Sequence, residues 1–272
     1  MTAKKIHKME ILITNDDGIA AKGINVIAEF MRSWGNVTVV APSEPQSAKS
    51  AALTLNREMA MRNVCESASS RDKGSLRMFS FSGTPADCVK VSMNSFFNLK
   101  SLPDLLISGI NHGSNASIAS LYSGTLGACA EATAYGIPSI GLSLNSHSCD
   151  PDFGPMLHFI PEIIGSYLKN PPRKGVYLNI NFPCLPIDSI KGVRMAHQGY
   201  GQWIQEFDKT REEDGVTYYM MTGSFINYDE NVSADHLLVE DGYVSIVPHL
   251  LDTTDYSESE RIGKLWKVDQ FR

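Results

Sequence analysis

The chain has 272 residues, 43% of them hydrophobic and 20% charged, with a formal net charge of −6 at pH 7. This composition is typical of a soluble globular protein and excludes a disordered chain. The negative charge disfavours binding to a nucleic-acid polymer. No segment reaches the roughly 18 apolar residues of a spanning helix, so we expect no membrane partner. Residues 1–8 lack the apolar stretch of a signal peptide, so we expect a cytoplasmic protein.

Cysteine and histidine give no sign of a zinc or redox site. The cysteines are Cys65, Cys88, Cys129, Cys149 and Cys184. They are odd in number and contain no Cys-x-x-Cys pair, so we expect reduced and mostly buried thiols. The seven histidines also lack the close spacing of metal ligands. Zinc is therefore a poor candidate.

Residues 10–144 alternate short apolar runs with longer amphipathic ones, which predicts βαβ units and a mostly parallel sheet. A helix is expected over 23–34, with Gly35 at its end. The expected parallel strands are 10–15, 36–41, 104–108 and 139–144.

The segment after the second strand breaks this alternation. Residues 51–55 and 76–81 have strand-like sequences separated by a polar stretch, which predicts an antiparallel excursion. The next helix begins with clear capping chemistry: Thr84 can cap it, Pro85 suits its first position, and Asp87 favours the positive end of its dipole. We expect this helix to run to between residues 94 and 97.

The second half of the chain continues with weaker patterns. A polar, glycine-rich loop over 109–124 leads into a helix that Gly136 ends. Residues from about 190 to 240 look poor in helix, and we interpret them as an extended or swapped arm. The other elements expected here are a helix near 152–169 and strands at 176–182, 216–226 and 242–247.

These patterns together predict an α/β fold. We expect a Rossmann-like three-layer αβα core with a mostly parallel sheet, plus a C-terminal β-rich oligomerisation arm. Residues 1–272 would form a single domain, with its core at about 9–185 and 242–250 and its arm at about 190–240.

The strongest chemical signal is the pair Asp16 and Asp17, which follows the first apolar strand and precedes Gly18. Two carboxylates make a hard oxygen site that suits Mg²⁺ or Mn²⁺ better than Zn²⁺. Neighbouring strand residues point to opposite faces, so both acids reach one ion only if the chain turns. Gly18 permits that turn.

Four polar segments fall at the ends of predicted strands or just before a helix. In an open parallel sheet, ligands bind outside the carboxyl ends of the strands, so we expect these segments to converge on one crevice. Each segment alone is more typical of a turn or a helix cap, and the convergence is what indicates a site. The segments are 15–18, 41–50, 108–111 and 123–125.

The converging segments supply complementary chemistry. Asp16 and Asp17 would hold a divalent cation, with Asn111 and a hydroxyl from the 42–50 loop as neutral ligands. The loop ending at residues 123–125 would present backbone N–H groups and hydroxyls to an anion at a helix N-terminus. A metal beside a phosphate supports hydrolysis of a phosphate ester by metal-activated water.

These motifs resemble the SurE survival-protein family of metal-dependent nucleotidases. The resemblance covers nearly the whole chain and continues weakly to residues 242–245. The segments that carry it are 15–19, 39–42, 82–89, 108–111, 122–125 and 127–128.

The resemblance implies a phosphatase that acts on nucleoside monophosphates, a 5′-nucleotidase that often accepts 3′-nucleotides and short polyphosphate. It implies one divalent cation per subunit, Mg²⁺ or Mn²⁺, and a homodimer or homotetramer that exchanges C-terminal arms. Asp16 and Asp17 would be the catalytic residues. The implied metal ligands are Asp16, Asp17, Ser47 and Asn111, and the implied phosphate contacts are Asn115, Ser123, Gly124 and Thr125.

The chain departs from the family pattern at two places. The 43–50 loop reads Ser-Glu-Pro-Gln-Ser-Ala-Lys-Ser, without the arginine that often precedes the family's serine, so Ser47 is assigned by spacing and Ser50 is the alternative. The loop after Asn111 lacks the usual proline before Asn115. We interpret His112 as a loop residue rather than a catalytic group.

Two other functions fit parts of the pattern. In an aspartyl-phosphate phosphatase the first aspartate is a nucleophile, but that scheme usually needs a second aspartate where this chain has Gly18. The alternative from another class is a nucleotide-binding sensor without catalysis. The glycine fingerprint of dinucleotide-binding folds is absent after the first strand, which disfavours that reading.

Overall fold

The computed structural model describes residues 8–146, 148 and 150–266. Within these residues the main sheet has nine strands and the two smaller sheets have two strands each. The helices are α1 (Lys22–Met31), α2 (Pro85–Ser95), α3 (Gly124–Ala134), α4 (Gly154–Lys169), α5 (Asp235–Glu240) and α6 (Tyr256–Trp266). The strands are β1 (Met9–Thr14), β2 (Gly35–Pro42), β3 (Met61–Ser67), β4 (Leu76–Phe81), β5 (Leu105–His112), β6 (Ser139–Asn145), β7 (Val176–Pro183), β8 (Val193–Met195), β9 (Gly201–Ile204), β10 (Phe207–Glu213), β11 (Val216–Met221), β12 (Ser224–Asn227) and β13 (Val244–Leu250).

The main sheet has the strand order β3-β4-β2-β1-β5-β6-β7-β13-β8. Its neighbours are parallel except for the antiparallel pairs β3–β4 and β7–β13. Alternate strand residues serve opposite faces. Ile11 and Ile13 of β1 pack in one core with α1 and α4, whereas Leu12 packs in a second core with α2 and α3. The predicted three-layer α/β core with a mostly parallel sheet is confirmed.

The helix-capping chemistry read from the sequence is present. The Thr84 side chain accepts a hydrogen bond from the N–H of Asp87 at 3.2 Å, and the Asp87 carboxylate accepts one from the N–H of Thr84 at 2.9 Å. Gly136 ends α3 at a φ of 84°, and its N–H donates to the carbonyl of Thr133. The N–H of Ile137 donates back to Ala132, which completes a Schellman motif.

The expectation of a strand at 51–55 is wrong. This segment is held by side chains at the start of α2 rather than by a sheet: Thr54 donates its N–H to Asp87, and Thr84 donates its hydroxyl to the carbonyl of Ala52. The expected antiparallel strand is β3, which begins about ten residues later. The apolar residues of 51–55 led to the strand prediction, yet the Leu55 side chain is exposed.

Two element ends also differ from the sequence expectation. The first helix ends at Met31, and Gly35 instead begins β2, where a Cβ would lie 2.1 Å from the carbonyl oxygen of Met9. Strand β5 runs to His112 rather than to residue 108. Asn111 therefore lies on the strand and not in the loop after it, and His112, interpreted above as a loop residue, is the last residue of the strand.

The segment predicted as an arm is built mostly of two antiparallel strand pairs. Strands β10 and β11 form one antiparallel pair, and β9 and β12 form another. Nearly all side chains of β10 and β11 are exposed. However, β8 joins the main sheet beside β13, and α5 packs on that strand, so part of the segment belongs to the core. Helix α6 was not expected from the sequence.

The described cysteines are free thiols: Cys88 and Cys129 are buried, Cys65 is half-buried and Cys184 is exposed. Cys149, one of the cysteines expected to be a reduced thiol, lies outside the described residues. So do residues 1–7, which carry most of the expectation that no signal peptide is present. Over the described ranges, no helix combines the length and apolar character needed to span a bilayer.

Candidate active site at the carboxyl edge of the sheet

The sheet changes its winding direction at β1. The chain passes from β1 to β2 on one side, while β5 lies on the other side, so a crevice opens at the carboxyl end of β1. Asp16 and Asp17 stand at this point. Gly18 turns the chain with a φ of +93°, and the N–H of Ile19 then donates to the carbonyl of Pro42. The turn predicted at Gly18 is present.

Asp16 is buried against the N-terminus of α3. The Thr125 hydroxyl donates a 2.6 Å hydrogen bond to Asp16 Oδ1. Burial raises the pKa of the Asp16 carboxyl, while hydrogen bonds from Thr125 and from the Gly124 backbone oppose that rise. A Cβ on Gly124 would lie 2.8 Å from the Cβ of Asp16, so the helix approaches this closely only because residue 124 is glycine.

Asp17 is partly buried and lies beside a second negative charge. Its pKa rises from 3.8 to about 6, first because of burial and then because of the charge of Asp16. The backbone N–H of His112 donates to Asp17 Oδ2 at 3.0 Å and lowers the pKa in part. The charge of the exposed His112 side chain also lowers the pKa of Asp17, as the smallest of these contributions.

Asn111 reaches the same edge through an irregularity in β5. Ser108 pairs with Gly141 and Asn111 pairs with Ser143, so β5 carries one extra residue relative to β6. The buried Asn111 side chain donates from Nδ2 to the carbonyl of Gly113 at 2.8 Å. Among the described residues no donor contacts its Oδ1, which is therefore available as a ligand.

The loop after β2 also comes to the site. The N–H of Gln46 donates to the carbonyl of Asp16 at 2.7 Å. Ser47 is exposed, and its hydroxyl makes no hydrogen bond within the described part of the chain. Ser50 is fixed by its backbone, since its N–H donates to the carbonyl of Tyr122 and its own carbonyl lies against Gly127. No described contact joins either hydroxyl to an aspartate, so Ser47 stays a prediction.

The residues expected to contact phosphate have other partners in this structure. Ser123 caps α3, with Oγ accepting from the N–H of Leu126 at 3.1 Å. Thr125 donates to Asp16. The side chain of Asn115 donates to Ser143 Oγ at 2.8 Å, inside the protein. Their roles in substrate binding stay predictions, together with that of Gly124.

Two buried asparagines that the sequence reading missed hold the loop after β5. Asn181 Oδ1 accepts from the N–H of Asn115 at 2.8 Å, and Asn179 Nδ2 donates to the carbonyl of Asn115 at 2.9 Å. Asn181 Nδ2 also donates to Asn179 Oδ1. The sequence signal that could have indicated this role is the presence of two asparagines within the apolar β7 run, because a buried amide needs hydrogen-bond partners.

The donor set suits a hard divalent cation. Within the described ranges, no group of three or more His, Cys, Asp or Glu residues could hold a metal ion. Asp16 and Asp17 with the Asn111 amide oxygen and a serine hydroxyl make an oxygen-only set, which favours Mg²⁺ or Mn²⁺ over zinc. A cation between the two aspartates would also offset the repulsion that raises the pKa of Asp17.

Fold and site together define a doubly wound α/β protein with a paired-aspartate oxygen site at its switch point. Comparison with known proteins gives the family. The model of the family described as survival protein SurE matches residues 11–205, and the chain belongs to this family. The SurE family is in general metal-dependent.

Curated relatives and a solved structure agree with that assignment. The chain is 45% identical over 244 residues to a 5′-nucleotidase SurE from Christiangramia forsetii, covering 90% of this chain and 92% of the relative. It is 42% identical over 265 residues to a 5′-nucleotidase SurE from Flavobacterium johnsoniae, covering 97% and 99%. A crystal structure of SurE protein from Aquifex aeolicus aligns with a TM-score of 0.77 at 31% identity, covering 94% of this chain and 99% of that one.

Proposed function

We propose that this protein is a metal-dependent 5′-nucleotidase that releases phosphate from nucleoside monophosphates. One observation carries the proposal: Asp16 and Asp17 lie at the switch point of the sheet, where the N-terminus of α3 and the end of β5 meet them. The names of the curated relatives support the same activity. We extend it to 3′-nucleotides and short polyphosphate on the family resemblance.

The proposed cofactor is one Mg²⁺ or Mn²⁺ per subunit, held by Asp16, Asp17, Ser47 and Asn111. Such a cation polarises a phosphoryl oxygen and lowers the pKa of water. Thr125 orients Asp16 through the 2.6 Å hydrogen bond, and the His112 N–H orients Asp17. One of the two carboxylates would take the proton of the attacking water.

The substrate phosphate would sit at the N-terminus of α3. That end of the helix carries a partial positive charge and backbone N–H groups without partners in the helix. Ser123, Gly124 and Thr125 form this end, and the further proposed phosphate contact, Asn115, lies in the loop after β5. In this arrangement the N-terminus of α3 must lie against both the phosphate and Asp16. The close approach of the helix to Asp16 at Gly124 supports the arrangement.

The proposal includes a single domain with its core at about 9–185 and 242–250 and an arm at about 190–240. We propose a homodimer or homotetramer assembled through this arm, because Phe207, Tyr219 and Met221 of its hairpin are all more than half exposed. The proposed location is the cytoplasm, which the free thiols of the four described cysteines favour.

Phosphate release from adenosine and guanosine monophosphate, measured with Mn²⁺ or Mg²⁺ and again with EDTA, tests the activity. We expect release that EDTA abolishes and that Asp16→Asn lowers by at least about 1,000-fold, a loss in the range seen when essential catalytic groups are removed. Asp72→Asn is the matched control, since Asp72 is exposed and makes no described hydrogen bond.

Metal-independent release, or full activity in Asp16→Asn, would contradict the mechanism. Nucleotide binding without release from any nucleotide would instead favour the sensor. A phosphoenzyme trapped with labelled substrate would favour an aspartyl-phosphate route.

A further inference from the structure

A cavity of about 260 Å³ lies where the arm meets the carboxyl edge of the main sheet. Its walls come from the loop after β5, the end of β6, the ribbon of β9 and β12, and α5. This volume is just below the roughly 300–1,000 Å³ of pockets that hold drug-sized ligands, which suits a single heterocycle. Its walls include Ser114, Asn145, Trp203, Phe225 and His236.

The cavity lies within reach of the paired aspartates. Ser114 follows the candidate ligand Asn111 by three residues, which span at most about 11 Å of chain. Asn145 follows Leu144, the partner of His112 in the β5–β6 register. His112 in turn donates its N–H to Asp17. The cavity therefore lies at the same edge of the sheet as the proposed metal site, one loop away.

Aromatic side chains form one wall of the cavity. The rings of Trp203 and Phe225 lie 5.8 Å apart at 60°, and Phe225 packs edge-on against His236 at 5.5 Å. His236 Nε2 is paired with Asn227 Oδ1 at 3.0 Å, which fixes the ring. Trp203 is nevertheless 39% exposed, so its indole offers a free surface supported from behind. We call these three rings the aromatic wall.

The aromatic wall is tied firmly to the core. The buried Asp235 carboxylate accepts hydrogen bonds from the N–H of Ser117 at 2.9 and 3.0 Å and from the N–H of Gly199 at 2.9 Å. Ser117 Oγ also donates to the carbonyl of Gly199. These bonds join the chain segments before β9 and after β5. The ribbon thus keeps a fixed position over the edge of the sheet.

Two polar side chains elsewhere in the lining have no hydrogen-bond partner among the described residues. The Asn145 amide and the Glu240 carboxylate both line the cavity, and neither makes a side-chain hydrogen bond to any described residue. An amide can donate and accept, and a carboxylate accepts. This combination matches the ring nitrogens and exocyclic groups at the edge of a nucleobase.

We infer that this cavity is the subsite for the base of a nucleoside monophosphate, with the base stacked on Trp203 and its edge facing Asn145 and Glu240. The inference rests on the proposed function, because it places the phosphate at Asp16 and Asp17. Stacking on an indole is tolerant of base identity but favours the larger purine face. Trp203 is therefore a specificity residue that acts on the substrate and not on the reacting atoms.

Steady-state kinetics with a base and without one test the inference. The substrates are adenosine monophosphate and ribose 5-phosphate, which carries the same phosphate ester on a sugar without a base. We expect Trp203→Ala to raise the KM for adenosine monophosphate by about tenfold or more, the effect of losing a stacked base. The kcat should change little, and kcat/KM for ribose 5-phosphate should stay as in the wild type.

Two variants complete the kinetic test. Trp203→Phe keeps an aromatic face and should restore most of the lost affinity. Trp266→Ala is the matched control, because Trp266 is exposed on α6 and does not line the cavity. It should leave both substrates unaffected. An equal loss for both substrates in Trp203→Ala, or no loss for either, would overturn the inference.

Fluorescence separates base binding from catalysis. The chain has three tryptophans, Trp34, Trp203 and Trp266. In a Trp34→Phe, Trp266→Phe variant with EDTA present, adenosine should quench the remaining emission, whereas ribose should not. Quenching without phosphate release from any ester would reject the proposed activity and keep the base subsite. Phosphate release without quenching would keep the activity and reject the subsite.

Discussion

The carboxyl edge of the main sheet and the β10–β11 hairpin of the arm contrast in how their side chains are held. At the edge, Asp16, Asn111 and Asn115 are all at least nine-tenths buried and hydrogen-bonded to neighbouring elements. In the hairpin, Tyr219 and Met221 are each more than 60% exposed, although they are apolar. A buried polar edge and an exposed apolar hairpin both reverse the usual distribution of residues.

The contrast shows two different consequences of placing side chains against their usual preference for burial or exposure. Buried polar groups at the edge need partners, so their geometry is fixed by the surrounding fold. Exposed apolar groups in the hairpin have no described cover, which is the pattern of a surface that meets another molecule. Changes at the edge should therefore alter activity or folding, whereas changes in the hairpin should alter assembly.

Among the changes that test this contrast, Gly124→Ala should have the largest effect. The added Cβ would lie 2.8 Å from the Cβ of Asp16 and 3.0 Å from its Oδ2, so Asp16 or α3 must shift. Misplacing a catalytic group by about 1 Å can cost about 100-fold in rate, so we expect kcat/KM to fall by about 100-fold. Phosphate-release assays measure it. Gly165→Ala is the control, because nothing lies within 4 Å of a Cβ there. Equal activity in the two variants would show that close approach of α3 does not matter.

Asn181→Leu should weaken folding more than any surface change. It leaves the N–H of Asn115 and the Oδ1 of Asn179 without the partners that they have now. Unpaired buried polar groups cost about 1–3 kcal/mol each, so we expect about 2–3 kcal/mol less unfolding free energy. Urea unfolding measures this value. Asn94→Leu on the exposed face of α2 is the control. A change below about 0.5 kcal/mol would mean that the loop is held by other contacts.

Asp17→Asn should stabilise the metal-free protein in a pH-dependent way. The pKa of Asp17 is raised from 3.8 to about 6, so the folded state disfavours the charged form. The penalty is absent below about pH 4, grows as pH rises to about 6, and is constant above that. A rise of the Asp17 pKa from 3.8 to about 6 corresponds to about 3 kcal/mol, and solvent screening of the partly exposed carboxylate reduces this value. We therefore expect a gain of about 2 kcal/mol near pH 8 and none near pH 4.

Thermal or urea unfolding in EDTA at the two pH values measures the Asp17 effect. Asp72→Asn serves again as the exposed control and should show no pH-dependent gain. A gain that is equal at both pH values would assign the effect to packing rather than to charge.

The smallest effect on folding is expected in the hairpin. Tyr219→Ser combined with Met221→Ser should change the unfolding free energy of the core by less than about 1 kcal/mol, since each side chain is exposed. Light scattering should nevertheless show a lower mass if this surface joins subunits. An unchanged oligomeric mass together with a strongly reduced unfolding free energy would show that the hairpin serves folding rather than assembly.

Much of the core could be predicted because its signals are local. The capping box at Thr84 and Asp87 and the glycine stop at Gly136 depend only on residues within one turn of a helix. The prediction of a strand at 51–55 was wrong because this segment is fixed by contacts far away in sequence. Its apolar residues looked like a strand, but the segment is fixed by side-chain bonds to Asp87, which lies 33 residues after Thr54.

The sequence by itself determined the α/β class, the position of Asp16 and Asp17 after the first strand, and the turn at Gly18. These depend on residue type and spacing along the chain. Only the tertiary structure showed that Thr125 holds Asp16, that Asn179 and Asn181 hold the loop after β5, and that β9 and β12 bring an aromatic wall to the site. Those contacts join residues far apart in sequence, and a hydrogen bond or ring contact carries no periodic signal along the chain.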